Sequence, residues 1–308
     1  MKRRKKTKSP VIWILLVFMC TTGLLAFTSK GKEKPPPEPP GASSEDAVQT
    51  GAGGYTYVNK TADDIHRGEL VLINDGHKYR FEDENILQSV YDFKNDSYSV
   101  KDKNVTLRET VIEHLNDLLD GFESETGNRS VNIISGYRTR PYQQTLLDRE
   151  IERTDAVTAA MWVSKPGHSE HHSGLALDLG IYGGKGVSSE YTGEGEYAWI
   201  NKNCHKYGFI VRYKESKSGI TGIAYEPWHF RYVGVPHSYV IEKKGFCYEE
   251  YIDYLKGFEF SEEHLTVVAG GAEYEIYYAV GTKIPVPKRS EYTVSGNNTD
   301  GFIVTVRK

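Results

Sequence analysis

Apolar positions along this chain fall into two periods, three-to-four and two, and each predicts an element. Leu107, Val111, Ile112, Leu115, Leu118, Leu119 and Phe122 recur three and four apart, the spacing of an amphipathic helix. Strict alternation from Leu175 to Leu179 predicts a strand whose leucines face one way while Gly174, Ala176 and Asp178 face the other. Leu70–Asn74, Val131–Ser135 and Gly208–Tyr213 read as further strands, the first buried and ending in a turn at Asp75-Gly76. Helices are expected from Pro141, a favoured first-turn residue, across Tyr197–Tyr207, and across Tyr248–Lys256. The pattern predicts an α+β domain with a mostly antiparallel sheet over residues 55–257. Short β-like runs broken by glycine and proline then predict a small β appendage over 258–308.

Residues 1–54 have a different texture. Residues 1–10 form a basic segment, and Val11–Phe27 carries no charge. This run is within the tolerated length of a transmembrane anchor, with a cleaved signal peptide as the alternative. The basic side would stay cytoplasmic and the rest of the chain would be exported, placing the domain on the outer side of a cell membrane. Residues 28–54, with Pro35-Pro36-Pro37 and Pro39-Pro40, are expected to be a linker too poor in apolar residues to fold.

Charge and cysteine content narrow the function classes. The chain of 308 residues has a formal net charge of −4, and six of its cations precede residue 9, so the remainder is strongly acidic. No basic stripe is left for a nucleic-acid backbone. Three cysteines without a CxxC pair argue against a disulfide scaffold and against cysteine-held zinc. Cys204 and Cys247 are left either as one bridge or as two separate thiols.

The informative stretch is Pro166-Gly167-His168-Ser169-Glu170-His171-His172-Ser173-Gly174, which runs into the alternating strand. Asp178 on the small-residue face has room beside it for an ion, and a buried carboxylate needs a partner or a metal. His171 lies at odd spacing from Asp178, so a turn at Ser173-Gly174 has to swing the imidazole round. Glu226-Pro227-Trp228-His229 is the second stretch. Pro227 disfavours helix at Glu226, so this is an extended segment rather than an HExxH helix. His229 supplies a third ligand. Two imidazoles and a carboxylate leave an open position for water, the arrangement of catalytic zinc. Glu226 is then the natural general base, and its odd spacing from His229 again requires a kink. Trp228 is expected to be a packing wedge. Arg138, between a strand and a helix, is suited to a substrate carboxylate or an oxyanion, and Gln143 to a peptide amide contact.

Ser169-x-His171-x-x-Gly174-x-Ala176-x-Asp178 followed by Glu226-x-Trp228-His229 resembles the VanY-type D-alanyl-D-alanine carboxypeptidases. These share a zinc-peptidase fold with lysostaphin-like enzymes and the hedgehog signalling domain. Ser135-Gly136-Tyr137-Arg138 with Gln143, and Tyr207-Gly208-Phe209 with Arg212-Tyr213, also fit that pattern, over roughly residues 60–255. The resemblance implies zinc on His171, Asp178 and His229, Glu226 as base, and Arg138 on the oxyanion or substrate. It also implies substrate contacts at Gln143, Ser169 and Tyr137. The implied partner is the D-alanine end of a peptidoglycan stem peptide, cut outside the membrane. His172 stands where the family often has Gln; it is an alternative ligand by chemistry, though the spacing to Gly174 favours His171.

Three other readings compete. A serine penicillin-binding protein would need Ser-x-x-Lys and Lys-Thr-Gly motifs. Ser29-Lys30-Gly31-Lys32 lies in the linker, and Gly281-Thr282-Lys283 reverses the second of these. An L,D-carboxypeptidase acting on tetrapeptides would share every catalytic residue. A non-catalytic wall-binding protein would have no use for Glu226.

Overall fold

The alternating strands assemble into a sheet with one apolar and one polar face, and this difference decides where the site lies. The computed structural model describes residues 54–81, 86–184 and 188–308. The expected basic segment and anchor, and the linker apart from its last residue, lie outside the described residues. Among the described residues, no helix is long and apolar enough to cross a membrane.

The central sheet runs Ser99–Val100, Val131–Ser135, Ala176–Tyr182, Glu226–Tyr232, Phe209–Tyr213, with Ser188–Glu190 pairing beside Ala176–Tyr182. Its first pair is parallel and every other pair antiparallel. The fold is therefore mixed α+β with mostly antiparallel sheets. The predicted helix spans Glu109–Thr126 and ends at Gly127, whose φ of 71° is the left-handed conformation that glycine adopts cheaply. Its buried Val111, Leu115, Leu119 and Phe122 pack with Ile133, Leu175, Leu177, Leu179, Phe209 and Phe230. One face of the sheet is thereby dry.

The opposite face carries Asp178, His229, Arg231 and Arg212, all buried. Asp178 pairs across the ladder with His229, and Ala176 with Arg231. The helix Arg140–Arg153 begins at Thr139, whose Oγ1 accepts the Tyr142 N–H, a cap that contributes about 1 kcal/mol.

The expected strand Leu70–Asn74 is not a strand. The segment is buried, but only Asn74 makes a bridge, to His77. Side chains satisfy much of its backbone instead. Arg231 donates to the Glu69 and Val71 carbonyls, Asn298 Nδ2 donates to the Leu72 carbonyl, and Ser295 Oγ accepts the Leu70 N–H. An apolar run shows that a segment is buried without showing what its backbone bonds to.

The C-terminal runs form a four-stranded antiparallel sheet in the order Leu265–Ala269, Ala272–Ala279, Phe302–Arg307, Glu291–Gly296. A further strand, Lys283–Pro287, pairs with Tyr55–Asn59. Ile276 and Ile303 share a core with Ile210, Val240, Tyr248 and Tyr251, and all described residues belong to one compact unit. Cys204 and Cys247 are two separate buried thiols.

Candidate active site

Local backbone irregularities bring the candidate residues together. Glu170–Ser173 is a 3-10 turn closed by Gly174 at φ 68°. A Cβ at Gly174 would also stand 2.5 Å from Leu87, so the turn that redirects His171 requires glycine on two counts. On the other side, Tyr213 pairs with Glu226 and Val211 with Phe230, so the Glu226 strand spends four residues where its partner spends two. This bulge is the kink that the Glu226–His229 spacing demanded. It leaves Glu226 Oε2 3.7 Å from His229 Nδ1.

His171, Asp178 and His229 each present a ligand atom, and these atoms lie within 4.8 Å of one another. His171 Nε2 is 3.3 Å from Asp178 Oδ2, and His229 Nδ1 is 3.1 Å from Asp178 Oδ1. His171 uses Nδ1 to bond the Gly136 carbonyl at 2.6 Å, and its buried Nε2 has no hydrogen-bond partner. A buried nitrogen without a partner, aimed at a carboxylate and a second imidazole, fits a divalent metal.

The electrostatics agree with that fit. Burial, aided by Arg138, lowers the His171 pKa to about 4, so its ring is neutral. Burial would raise the Asp178 carboxyl, but His171 and Arg138 hold it well below the usual range. Burial opposes protonation of His229, yet hydrogen bonds to Asp178 and Glu170 outweigh it and push the ring up to about 9 without metal. Burial, reinforced by Asp178 and opposed by His229, pushes Glu226 up to about 7. A carboxylate whose pKa lies near neutrality is matched to proton transfer.

The other candidates divide into two groups. A cavity of about 420 Å³ opens onto His171, Asp178, His229 and Glu226, and Arg138, Gln143 and Ser169 also line it. Arg138 donates Nη2 to Asp178 and Nε to Ser135 Oγ at 2.9 Å, so the guanidinium is tied to the metal-site carboxylate. Gln143 is buried, donates Nε2 to the Ser164 carbonyl at 2.8 Å, and keeps an unpartnered Oε1. Tyr137 stands apart. It lines a neighbouring groove with Lys101, Thr139 and Tyr142, whereas Arg138 borders both that groove and the cavity. His172 is not part of the metal cluster: its Nδ1 donates to the Arg138 carbonyl and its Nε2 accepts the Gly167 N–H. It braces the two loops that carry Arg138 and His171.

Sequence reasoning missed three residues. Trp162 lies parallel to Trp228, centroids 6.5 Å apart, and both line the cavity, so Trp228 is a wall as well as a wedge. Tyr213 sets its ring 4.9 Å from that of His229. Glu170 is fully buried beneath His229. For Glu170 a signal existed in Arg212 and Arg231, cations inside apolar strands, which require a buried anion.

Known proteins give the same picture. The family model for VanY, D-alanyl-D-alanine carboxypeptidase, matches residues 104–235. A D-alanyl-D-alanine carboxypeptidase of Enterococcus faecium is 39% identical over 255 residues, covering 80% of this chain and 77% of the relative. One from Enterococcus faecalis is 32% identical, covering 67% and 77%. The vancomycin-resistance D,D-dipeptidase VanXYg, solved with a D-Ala-D-Ala phosphinate analogue, superposes with a TM-score of 0.74 at 30% identity. It covers 83% of this chain and all of that one. With a match of that identity over most of both sequences, and with the metal cluster and Glu226 at one cavity, the chain belongs to the VanY family of D-alanyl-D-alanine carboxypeptidases.

Proposed function

We propose that the chain is a zinc-dependent D,D-carboxypeptidase that removes the terminal D-alanine from peptidoglycan stem peptides ending in D-Ala-D-Ala. The observation that carries this reading is the partnerless His171 Nε2 facing Asp178 and His229, with Glu226 beside them at an open cavity. Two imidazoles and one carboxylate suit zinc with a free coordination position. When bound there, the ion would polarise the scissile carbonyl and acidify the attacking water.

The chain's own residues do the rest. Glu226 takes the proton from the water and returns it to the departing D-alanine amine. Arg138, held by Asp178 and Ser135, places a fixed cation at the cavity, suited to the substrate's carboxylate or to the oxygen that gains charge. The free Oε1 of Gln143 accepts a substrate N–H, and Ser169 borders the same space. Trp162 and Trp228 form a flat apolar wall that keeps water from the backbone of the bound peptide. VanYB has been solved with D-alanine-D-alanine at a TM-score of 0.51 and 29% identity, which supports this substrate. The basic segment, the uncharged run Val11–Phe27 and the proline-rich linker support an anchored enzyme working on the outer side of the membrane.

An L,D-carboxypeptidase reading has its own support, since the LD-carboxypeptidase LdcB superposes with a TM-score of 0.53 at 28% identity. One experiment separates the two. The full chain is incubated with muropeptides ending in D-Ala-D-Ala and with tetrapeptides ending in a single D-Ala, and the products are weighed by mass spectrometry. Loss of one alanine from the pentapeptide only, blocked by chelator, restored by zinc and indifferent to penicillin, is expected. Cleavage of the tetrapeptide alone would replace this reading with the L,D one.

A further inference from the structure

We propose that Glu170 is a positioning residue that fixes the tautomer and orientation of His229, so that Nδ1 and not Nε2 is the nitrogen offered to the metal. This rests on the metal reading of His171, Asp178 and His229. Glu170 Oε2 lies 3.4 Å from His229 Nε2. Its other oxygen, Oε1, accepts Arg212 Nε at 2.8 Å and Arg231 Nη1 at 3.0 Å. One carboxylate oxygen is thus occupied by two guanidinium groups, and the other is left for the imidazole.

The carboxylate has little freedom to move away. Arg212 is gripped from its far side by both oxygens of Glu249, at 2.9 and 2.7 Å. Arg231 donates to the Glu69 and Val71 carbonyls at 2.8 and 3.0 Å. Both guanidinium groups lie over the ring of Tyr248. An ionised carboxylate only accepts hydrogen bonds, so the nitrogen facing it must carry a hydrogen. With hydrogen on Nε2, the His229 lone pair sits on Nδ1, and Nδ1 faces Asp178 Oδ1 at 3.1 Å. A carboxylate behind a ligating imidazole sets its ring orientation and makes it a better donor.

The placement of Glu170 in the chain adds a second consequence. Glu170 directly precedes His171 in the same 3-10 turn. One turn therefore supplies one ligand and orients the other, which comes from a strand 59 residues further on. A purely structural role for Glu170, as counter-ion to the two arginines, would leave the choice of His229 nitrogen untouched.

The test reads that choice directly. The full chain, labelled with 15N-histidine and loaded with zinc, is examined by 15N NMR, with His229 assigned by the signals lost in His229→Gln. Hydrogen on Nε2 with metal on Nδ1 is expected; metal on Nε2 would overturn the proposal while leaving the metal reading intact. A chain that takes up no zinc would overturn both. Zinc affinity, measured by competition with a chromophoric chelator, is the second readout. An amide at position 170 can turn its NH2 toward His229 Nε2 and favour the wrong tautomer. Glu170→Gln is therefore expected to weaken zinc about 10- to 100-fold. Affinity within twofold of wild type in a folded Glu170→Gln protein would also overturn the proposal.

Discussion

Among the described residues, histidines face carboxylates both in the C-terminal sheet and at the end of the central sheet, and only the second place is a site. In the C-terminal sheet, His264 bonds Glu275 through Nδ1 and the Phe260 carbonyl through Nε2, and its ring stacks on Tyr277. Glu275 is shared among His264, Tyr55 and Lys308. Every ring nitrogen there has a protein partner. At the end of the central sheet, His171 Nε2 has none, and a second imidazole and a carboxylate converge on the same point. A His–carboxylate pair by itself is a structural device. What marks chemistry is a leftover lone pair on which other ligand groups converge. His205 Nδ1 is also buried without a partner, but among the described residues only His171 Nε2 meets a carboxylate and a second imidazole. Leaving such an atom unsatisfied costs about 1–3 kcal/mol unless something binds.

The same contrast holds for charge. The central sheet buries Arg212, Arg231 and Glu170 completely, along with Asp178 and Glu226. The C-terminal sheet buries mainly Ile276, Tyr277, Ile303, Val304 and Val306. Apolar residues would stabilise the central region equally well, since buried ion pairs roughly break even against hydrophobic replacements. The retained charges therefore point to the site they surround.

The largest expected effect lies at the reacting centre. Glu226→Gln should lower turnover roughly 10²- to 10⁴-fold with zinc still bound, read by steady-state kinetics beside metal content. His264→Gln, a change of the same kind in the other pair, should leave turnover unaltered. Stability should separate the two regions next. Arg212→Met leaves Glu170 and Glu249 undercompensated and should destabilise by about 3–5 kcal/mol in a denaturant titration. Removing the His264–Glu275 bond by His264→Gln should cost less, about 1.5–3 kcal/mol, the range for a hydrogen bond to a charged group.

The smallest effect is a pH dependence confined to the C-terminal sheet. The His264 hydrogen bond, assisted by Lys308 and opposed by burial, lowers the Glu275 pKa from 4.5 to about 2. A depressed carboxyl contributes stability above its unfolded pKa and loses it as pH falls through the folded value. The Tm advantage of wild type over Glu275→Gln should therefore be full above about pH 4.5 and shrink towards pH 2. An advantage that stays constant over that window would show that the pair contributes no linkage.

Much of this was legible in the sequence, and the reasons are local. The Glu109–Thr126 helix and the strands Val131–Ser135 and Phe209–Tyr213 follow from the period of their apolar residues, because each packs one face on a common core. His171, Asp178 and His229 could be read because small residues and an odd spacing stand where a core strand would carry bulk. Lys283–Pro287 escaped because Pro285 cannot donate to a ladder, and it is accommodated in a two-stranded pair with Tyr55–Asn59. Glu170 escaped for a different reason. Its partners Arg212 and Arg231 lie 42 and 61 residues away, so its role exists only once the strands are assembled. Tyr137 was carried by its place in a motif, and it lines the other groove.

The proposed chemistry depends on His171, Asp178 and His229 jointly holding one ion. Metal content after dialysis against buffered zinc, measured by mass spectrometry on the wild-type chain and on His171→Ala, Asp178→Ala and His229→Ala, tests it most directly. One zinc per wild-type chain and almost none in each variant that keeps its fold by circular dichroism is the expected result. Folded variants that retain the full complement of zinc would contradict it.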